Sequence, residues 1–177
     1  MTDSDVDFKA QANHCPIFNG MTLDERGQVL VRLEHLCFSE GETILREGNS
    51  TQYLWIIVRG RCQVVKESKT GDRELAVLES CAIFGEMSFF NPAPHSASVR
   101  AVTNVEIMRL SRESYDVLEQ SGSTAAAKIA VNTVNVLAER LQQMDKFTGR
   151  LVDQLNVSGH KKEWGDFRSK LYSEWEF

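Results

Sequence analysis

Ile83-Phe84-Gly85-Glu86-Met87-Ser88-Phe89-Phe90-Asn91-Pro92-Ala93-Pro94-His95-Ser96-Ala97-Ser98-Val99-Arg100-Ala101-Val102 is the stretch whose reading decides the rest of the chain. It reads as a strand end, a glycine turn, one short helical turn, a proline-stiffened loop and a re-entering strand. Gly85 lets backbone approach a ligand closely, and the N–H groups from Glu86 to Phe89, without helical partners, point toward the same spot as an anion cradle. Past the loop, His95, Ala97, Val99 and Ala101 share one strand parity, and Ser96, Ser98 and Arg100 share the other.

The phrase resembles the phosphate-binding cassette of cyclic-nucleotide-binding domains, F-G-E-[LI]-A-L-x-x-x-x-P-R-[AST]-A-[ST]-V-x-A, with the family's spacing from Glu86 to position 95. The resemblance implies that Phe84, Gly85, Glu86, Met87, Ser88, His95, Ser96 and Ala97 line a cAMP or cGMP site. Glu86 would bind the ribose 2′-hydroxyl, and backbone N–H groups near Gly85 and Met87 would meet the cyclic phosphate. Ser96 stands where cGMP-preferring members often carry a hydroxyl. His95 replaces the family's arginine, so a permanent charge and a bidentate fork give way to one donor that is mostly neutral above a pKa of about 6.5. Losing a charge-assisted bond of about 1.5–3 kcal/mol weakens binding roughly ten- to a hundredfold. Binding is expected to strengthen as pH falls through the histidine pKa, because a phosphate favours the imidazolium.

Upstream, residues 1–21 form a polar segment ending near Cys15-Pro16-Ile17-Phe18, a phrase similar to one that precedes the family's first helix. Thr22-Leu23-Asp24-Glu25 is a capping box, and Leu23, Leu30 and Leu33 predict one helical face running to about His35, a charge-compatible helix end. From Leu36 to Leu110, short apolar runs separated by Gly41, Gly48, Gly60, Gly71 and Gly85 predict an antiparallel barrel or sandwich. Within it, Glu40–Gly48 and Leu54–Val64 repeat the family's spacing, with Trp55 for the usual tyrosine, Cys62 for a valine and Cys81 for a glycine. Lys69-Thr70-Gly71-Asp72-Arg73 reads as a hairpin loop with its charges in solvent.

Downstream, Ser111 caps a helix that turns Tyr115 and Leu118 inward. Ala130, Val134, Leu137, Leu141, Met144, Thr148, Leu151 and Leu155 then follow coiled-coil steps, and a helix over 124–156 would be roughly 50 Å long. That length exceeds what a small barrel covers, so the same helix of a second subunit is the expected partner. Leu137-Ala138-Glu139-Arg140-Leu141-Gln142-Gln143 resembles the dimer helix of the bacterial cyclic-AMP-receptor and oxygen-regulator family. Residues just after that helix phrase reach the purine in the family, which makes Asp145 an acceptor for an exocyclic amino group or else a solvated carboxylate. Gly149 costs about 1 kcal/mol within such a helix and marks a place for it to bend. Residues 157–177, with Trp164, Phe167, Trp175 and Phe177, fit no helix-turn-helix unit; packing within the dimer is the first expectation, with packing back onto the barrel or docking on another protein as the alternatives.

The chain has 177 residues, 42% of them hydrophobic, enough for one sizeable core. A formal charge of −5 argues against broad nucleic-acid binding. No run approaches the roughly 18 apolar residues of a membrane span, and the acidic N-terminus is unlike a secretion signal, so a soluble cytoplasmic protein is expected. Cys15, Cys37, Cys62 and Cys81 form no C-x-x-C pair and are expected to be reduced and buried. His14, His35, His95 and His160 make no metal-ligand spacing, and no Ser-His-Asp phrase, nucleophile elbow or Walker loop is present, so neither a metal nor an enzyme is expected.

The expected fold class is α+β, mainly β: an eight-stranded antiparallel jelly-roll barrel over 22–120 with short flanking helices, and one long C-terminal helix over 121–156. The expected function is a dimeric sensor of cAMP or cGMP that signals through that helix to a downstream protein. The alternative is a degenerate fold that binds no nucleotide and serves as a dimeric interaction module, with Phe89 and Phe90 blocking the pocket.

Overall fold

In a computed structural model of the protein, residues 14–68 and 71–154 are described, with side chains up to residue 150. The period-2 patterning between Leu36 and Leu110 resolves into eight strands in two sheets. The first sheet has the order β1 (Glu34–Phe38), β8 (Val105–Ser111), β3 (Tyr53–Arg59), β6 (Ile83–Phe84). The second runs β2 (Thr43–Leu45), β7 (Ser98–Ala101), β4 (Cys62–Lys66), β5 (Arg73–Leu78). Every pairing is antiparallel, with Trp55 opposite Arg109 and Phe84, and Val64 opposite Val99. This is the expected eight-stranded jelly roll.

Alternation along β3 assigns two cores. Trp55 and Ile57 join Leu45, Cys62, Phe84, Val99, Ala101, Val105 and Ile107 between the sheets. Leu54, Ile56 and Val58, of opposite parity, are also buried. The short helix α2 (Glu86–Phe90) lies against β3, and α3 (Arg112–Gln120) lies against β8. A strand buried on both faces reads as an unbroken apolar run, which is what Leu54-Trp55-Ile56-Ile57-Val58 is. Each such side chain contributes about 1.5–3 kcal/mol of burial.

The first helix in the chain, α1, spans Leu23–Leu30 and carries the expected reciprocal capping box between Thr22 and Glu25. Glu25 also accepts two bonds from Lys128 Nζ (2.8 and 2.7 Å) and one from the Thr124 hydroxyl. With the Lys128 ammonium as the largest cause and Thr124 next, its carboxyl is held down at about 2. Ser111 caps α3, accepting the Ser114 N–H at 3.1 Å, and Tyr115 and Leu118 are buried as expected.

The long helix α4 spans Thr124–Gln154. Its first turns bury Ala125, Ala126, Ile129 and Thr133, and Asn132 Nδ2 donates to the carbonyls of Ile17 (2.9 Å) and Asn19 (3.0 Å). The chain divides into two compact units at Thr133/Val134. In the second, Val134, Leu141, Met144 and Phe147 are all more than half exposed. Leu155 and the aromatic tail over 157–177 lie outside the described residues.

Four expectations are corrected. The helix α1 ends at Leu30, and Leu23 is 86% exposed, so the Leu23–Leu30–Leu33 face is not the buried one; Glu25 and Val29 are. His35 lies in β1 opposite Met108, because Leu36 and Phe38 alternate into the barrel at strand spacing. Asp72 is not merely solvated: its carboxylate meets the Arg100 guanidinium of β7 at 2.5 Å.

The fourth correction concerns the cysteines. Cys15 and Cys81 are joined in a disulfide across 66 residues, Cys37 is exposed, and Cys62 alone is a buried thiol, its pKa pushed up to about 11 by desolvation. Cys81 adopts φ +69°, the left-handed conformation that the family's glycine supplies without strain. The bond to Cys15, itself fully buried beside the Pro16–Phe18 turn, holds a side chain there despite the steric cost.

Candidate functional site: the Gly85 turn and its surroundings

At the end of β6 the chain enters Gly85 at φ +77°, which serves as the N-cap of α2. A Cβ there would stand 2.7 Å from the Tyr53 carbonyl oxygen and 2.8 Å from Trp55 Cδ1. Both dihedral and space therefore demand glycine. Phe89 N–H closes the turn onto Gly85 O at 3.0 Å. The first N–H groups of a helix lack carbonyl partners within it, so the turn presents donors and the positive end of a small dipole.

The structure gathers Phe84, Gly85, Glu86, Ser88 and His95 at this turn. Glu86 is 6% exposed and Ser88 5%, both on the first turn of α2. His95 is 5% exposed and lies in the loop before β7, which starts at Ser98; the expected strand parity therefore begins three residues later. Its ring nitrogens are both engaged, Nδ1 with Ser88 Oγ at 2.8 Å and Nε2 with Thr51 Oγ1 at 2.7 Å. Its backbone is held too, His95 N–H donating to Asn49 O and Gly48 N–H to His95 O, each at 2.9 Å. Two hydroxyls, each able to donate or accept, suit a neutral imidazole of either tautomer. Burial accordingly pushes the His95 pKa below its ordinary value.

Other predicted positions lie differently. The side chain of Met87 is 62% exposed, Ala97 is half-buried, and Ser96 is exposed, its carbonyl accepting from Lys66 Nζ at 2.6 Å. Asp145 is an exposed residue on the outer half of α4, in the second unit. Phe89 and Phe90 turn toward α3, meeting the Tyr115 ring edge-on at 5.4 and 5.7 Å. Two cations of the second sheet are paired, Arg100 with Asp72 and Lys66 with Glu47 at 2.8 Å.

Two residues near the turn were not singled out as site residues from the sequence. Thr51, 44 positions before His95, carries no local signal. Trp55 stacks on Phe84 with ring centroids 5.8 Å apart and planes 5° apart, and its buried Nε1–H has no hydrogen-bond acceptor among the described residues. Such a donor costs about 1–3 kcal/mol when left unsatisfied. An open cavity of about 540 Å³ lies elsewhere, lined by Glu25, Gln28, Arg32 and residues 121–124. Its polar groups largely satisfy one another through Ser123–Gln28, Thr124–Glu25 and Arg32–Gln28 bonds.

The jelly roll thus carries a left-handed glycine, a buried glutamate one residue on and a loop returning through a buried His95. Residues 35–121 belong to the family described as cyclic nucleotide-binding domain. The chain is 30% identical over 131 residues to the cyclic AMP receptor protein of Thermus thermophilus, covering 73% of this chain and 59% of that protein. Among solved structures it is similar to the Thermus thermophilus catabolite activator protein (TM-score 0.67, 29% identity, 77% of this chain and 62% of that one). A cyclic nucleotide-binding domain from Methylobacillus flagellatus shares the fold at TM-score 0.73 and 23% identity, over 83% and 85% of the two chains. The chain thus spans about three fifths of the length of the curated relatives it first matches. The family is regulatory. Among the described residues no group of side chains suited to a metal ion occurs, and no helix is long and apolar enough to cross a membrane.

Proposed function

We propose that the protein is a sensor that binds cAMP or cGMP at the Gly85 turn and signals through α4 to a downstream protein, as a homodimer formed along 124–156. The observation that carries this reading is the turn itself: Gly85 at φ +77° opening α2, with Glu86 buried beside it. Phe84 to Ser88 and Ala97 line the site, Glu86 meets the ribose, backbone N–H groups meet the phosphate, and Ser96 completes it when the nucleotide is bound. The Thermus thermophilus relative, named for cyclic AMP, supports the ligand class. The exposed apolar residues Val134, Leu141 and Met144 support a second copy as the partner of α4.

Calorimetric titration with cAMP and with cGMP tests the reading. Heat of binding for either nucleotide is expected, and a ligand at a hundred times its dissociation constant should stabilise the fold by about 2.7 kcal/mol.

One observation favours a second reading, a dimeric interaction module without a nucleotide. Both ring nitrogens of His95 are already satisfied by protein hydroxyls, so the site has no unmet need for an anion at that position. A flat thermal-shift response across a nucleotide panel would favour it.

A further inference from the structure

The indole of Trp55 is held in place from several sides. It stacks on Phe84, tilts against Tyr53 with centroids 5.7 Å apart, and lies beneath the Arg109 guanidinium at 5.3 Å. Arg109 is itself anchored to Glu34 at 2.7 and 3.0 Å, so the ring has little freedom to turn. Its Cδ1–Nε1 edge faces Gly85: a Cβ on that glycine would lie 2.8 Å from Cδ1 and 3.4 Å from Nε1. The tryptophan is 4% exposed, yet the one polar atom of its side chain has no acceptor among the described residues. An indole N–H can only donate, so what is missing beside the glycine turn is an acceptor oxygen.

We propose that the Trp55 indole N–H is a ligand-binding donor of this site, hydrogen-bonding an oxygen of the cyclic phosphate. This rests on the nucleotide-sensing reading and deepens it. The donor is neutral and its direction is set by the stack on Phe84, so it adds orientation where His95 is occupied with Ser88 and Thr51. A tyrosine at this position would hold its hydroxyl at the far tip of the ring, away from the edge that meets Gly85. The choice of tryptophan therefore changes which donor reaches the turn.

The test uses the full chain and two readouts. The indole ¹H–¹⁵N resonance of Trp55, assigned by elimination with Trp164→Phe and Trp175→Phe, is followed during titration with cAMP and with cGMP. Calorimetry is run in parallel on the wild type and on Trp55→Phe, which keeps an aromatic ring and removes the donor. Saturation should move the resonance downfield, and Trp55→Phe should raise the dissociation constant about tenfold, as loss of one neutral hydrogen bond implies. A nucleotide that binds with heat while the resonance stays put overturns this inference alone, as does a folded Trp55→Phe with the wild-type constant. No heat with either nucleotide overturns the sensing reading and this inference with it. Should Trp55→Phe fail to fold, the resonance of the wild type still decides.

Discussion

The Gly85 turn and the outer half of α4 invert the usual arrangement of a protein in opposite ways. At the turn, polar groups are buried: Glu86, Ser88 and His95 are each at most 6% exposed, and His95 makes hydrogen bonds from both ring nitrogens. Along α4 beyond Thr133, apolar groups are exposed: Val134 by 61%, Leu141 by 51% and Met144 by 60%. Buried polar and exposed apolar groups are the two departures that carry information, because the ordinary pattern needs neither. One region satisfies donors and acceptors in a dry place, and the other leaves apolar side chains in solvent. The difference is the ground on which we propose a small polar ligand for the first and a second copy of the chain for the second.

The harshest way to break the comparison is at the disulfide, which holds the turn just before β6. Cys15→Ser should lower stability by about 4 kcal/mol, the chain-entropy value for a loop of this size, and urea unfolding with and without reductant measures it. Association through α4 should be unaffected. Gly85→Ala strikes the turn directly. A left-handed alanine costs about 1–2 kcal/mol and its methyl collides with the Tyr53 carbonyl. We expect a total loss of roughly 2–3 kcal/mol by the same measurement and no nucleotide binding by calorimetry.

The reciprocal experiment leaves the turn alone. Leu141→Lys with Met144→Lys should weaken self-association about a hundredfold or more in sedimentation equilibrium, since each buried side chain is worth about 1.5–3 kcal/mol. The melting transition of the barrel should hardly move. Unchanged association would remove the second copy as the partner of that face.

The smallest effect sharpens the chemistry of the turn. His95 is pushed down by burial, so folding favours its neutral form. Its contribution to stability is therefore whole above about 6.5, the value in an unfolded chain, and drains as pH falls below it toward the folded pKa. His95→Gln should flatten that slope in urea titrations between pH 7 and pH 5. A bound phosphate pulls the other way, so nucleotide affinity should rise as pH falls, in a window set lower than that of a free histidine. His95→Arg should tighten binding about ten- to a hundredfold if a fixed charge is what the turn lacks.

Much of the turn was legible in the sequence because its grammar is local. Gly85, Glu86, Pro92 and His95 lie within eleven residues, and their spacing alone predicts turn, helix and return. The capping boundary at Ser111 and the run of short antiparallel strands were legible for the same reason, while the count of eight came with the family resemblance. What was not legible depends on distance along the chain: Thr51 meets His95 across 44 residues and Cys15 meets Cys81 across 66. The end of α1 was misjudged because Leu30 and Leu33 fit a helical face, while Leu36 and Phe38 fit a strand face, and only pairing with β8 decides where one gives way to the other. The repeat expected along α4 is exposed at Val134, Leu141 and Met144 and half-buried at Ala130, Leu137 and Thr148. It hid a second face through Ala125, Ala126, Ile129 and Thr133 that the barrel unit buries.

The short Pro16–Phe18 turn works as a mechanical tie. One end is bonded covalently, through Cys15, to a residue four positions before Gly85, and the carbonyls of Ile17 and Asn19 are gripped by Asn132 at the root of the long helix. Displacement of the glycine turn and displacement of that root are therefore not independent while the sulfurs stay joined. Opening the bond would leave the two connected only by noncovalent contacts, so an oxidant or reductant acts on the stiffness of this linkage.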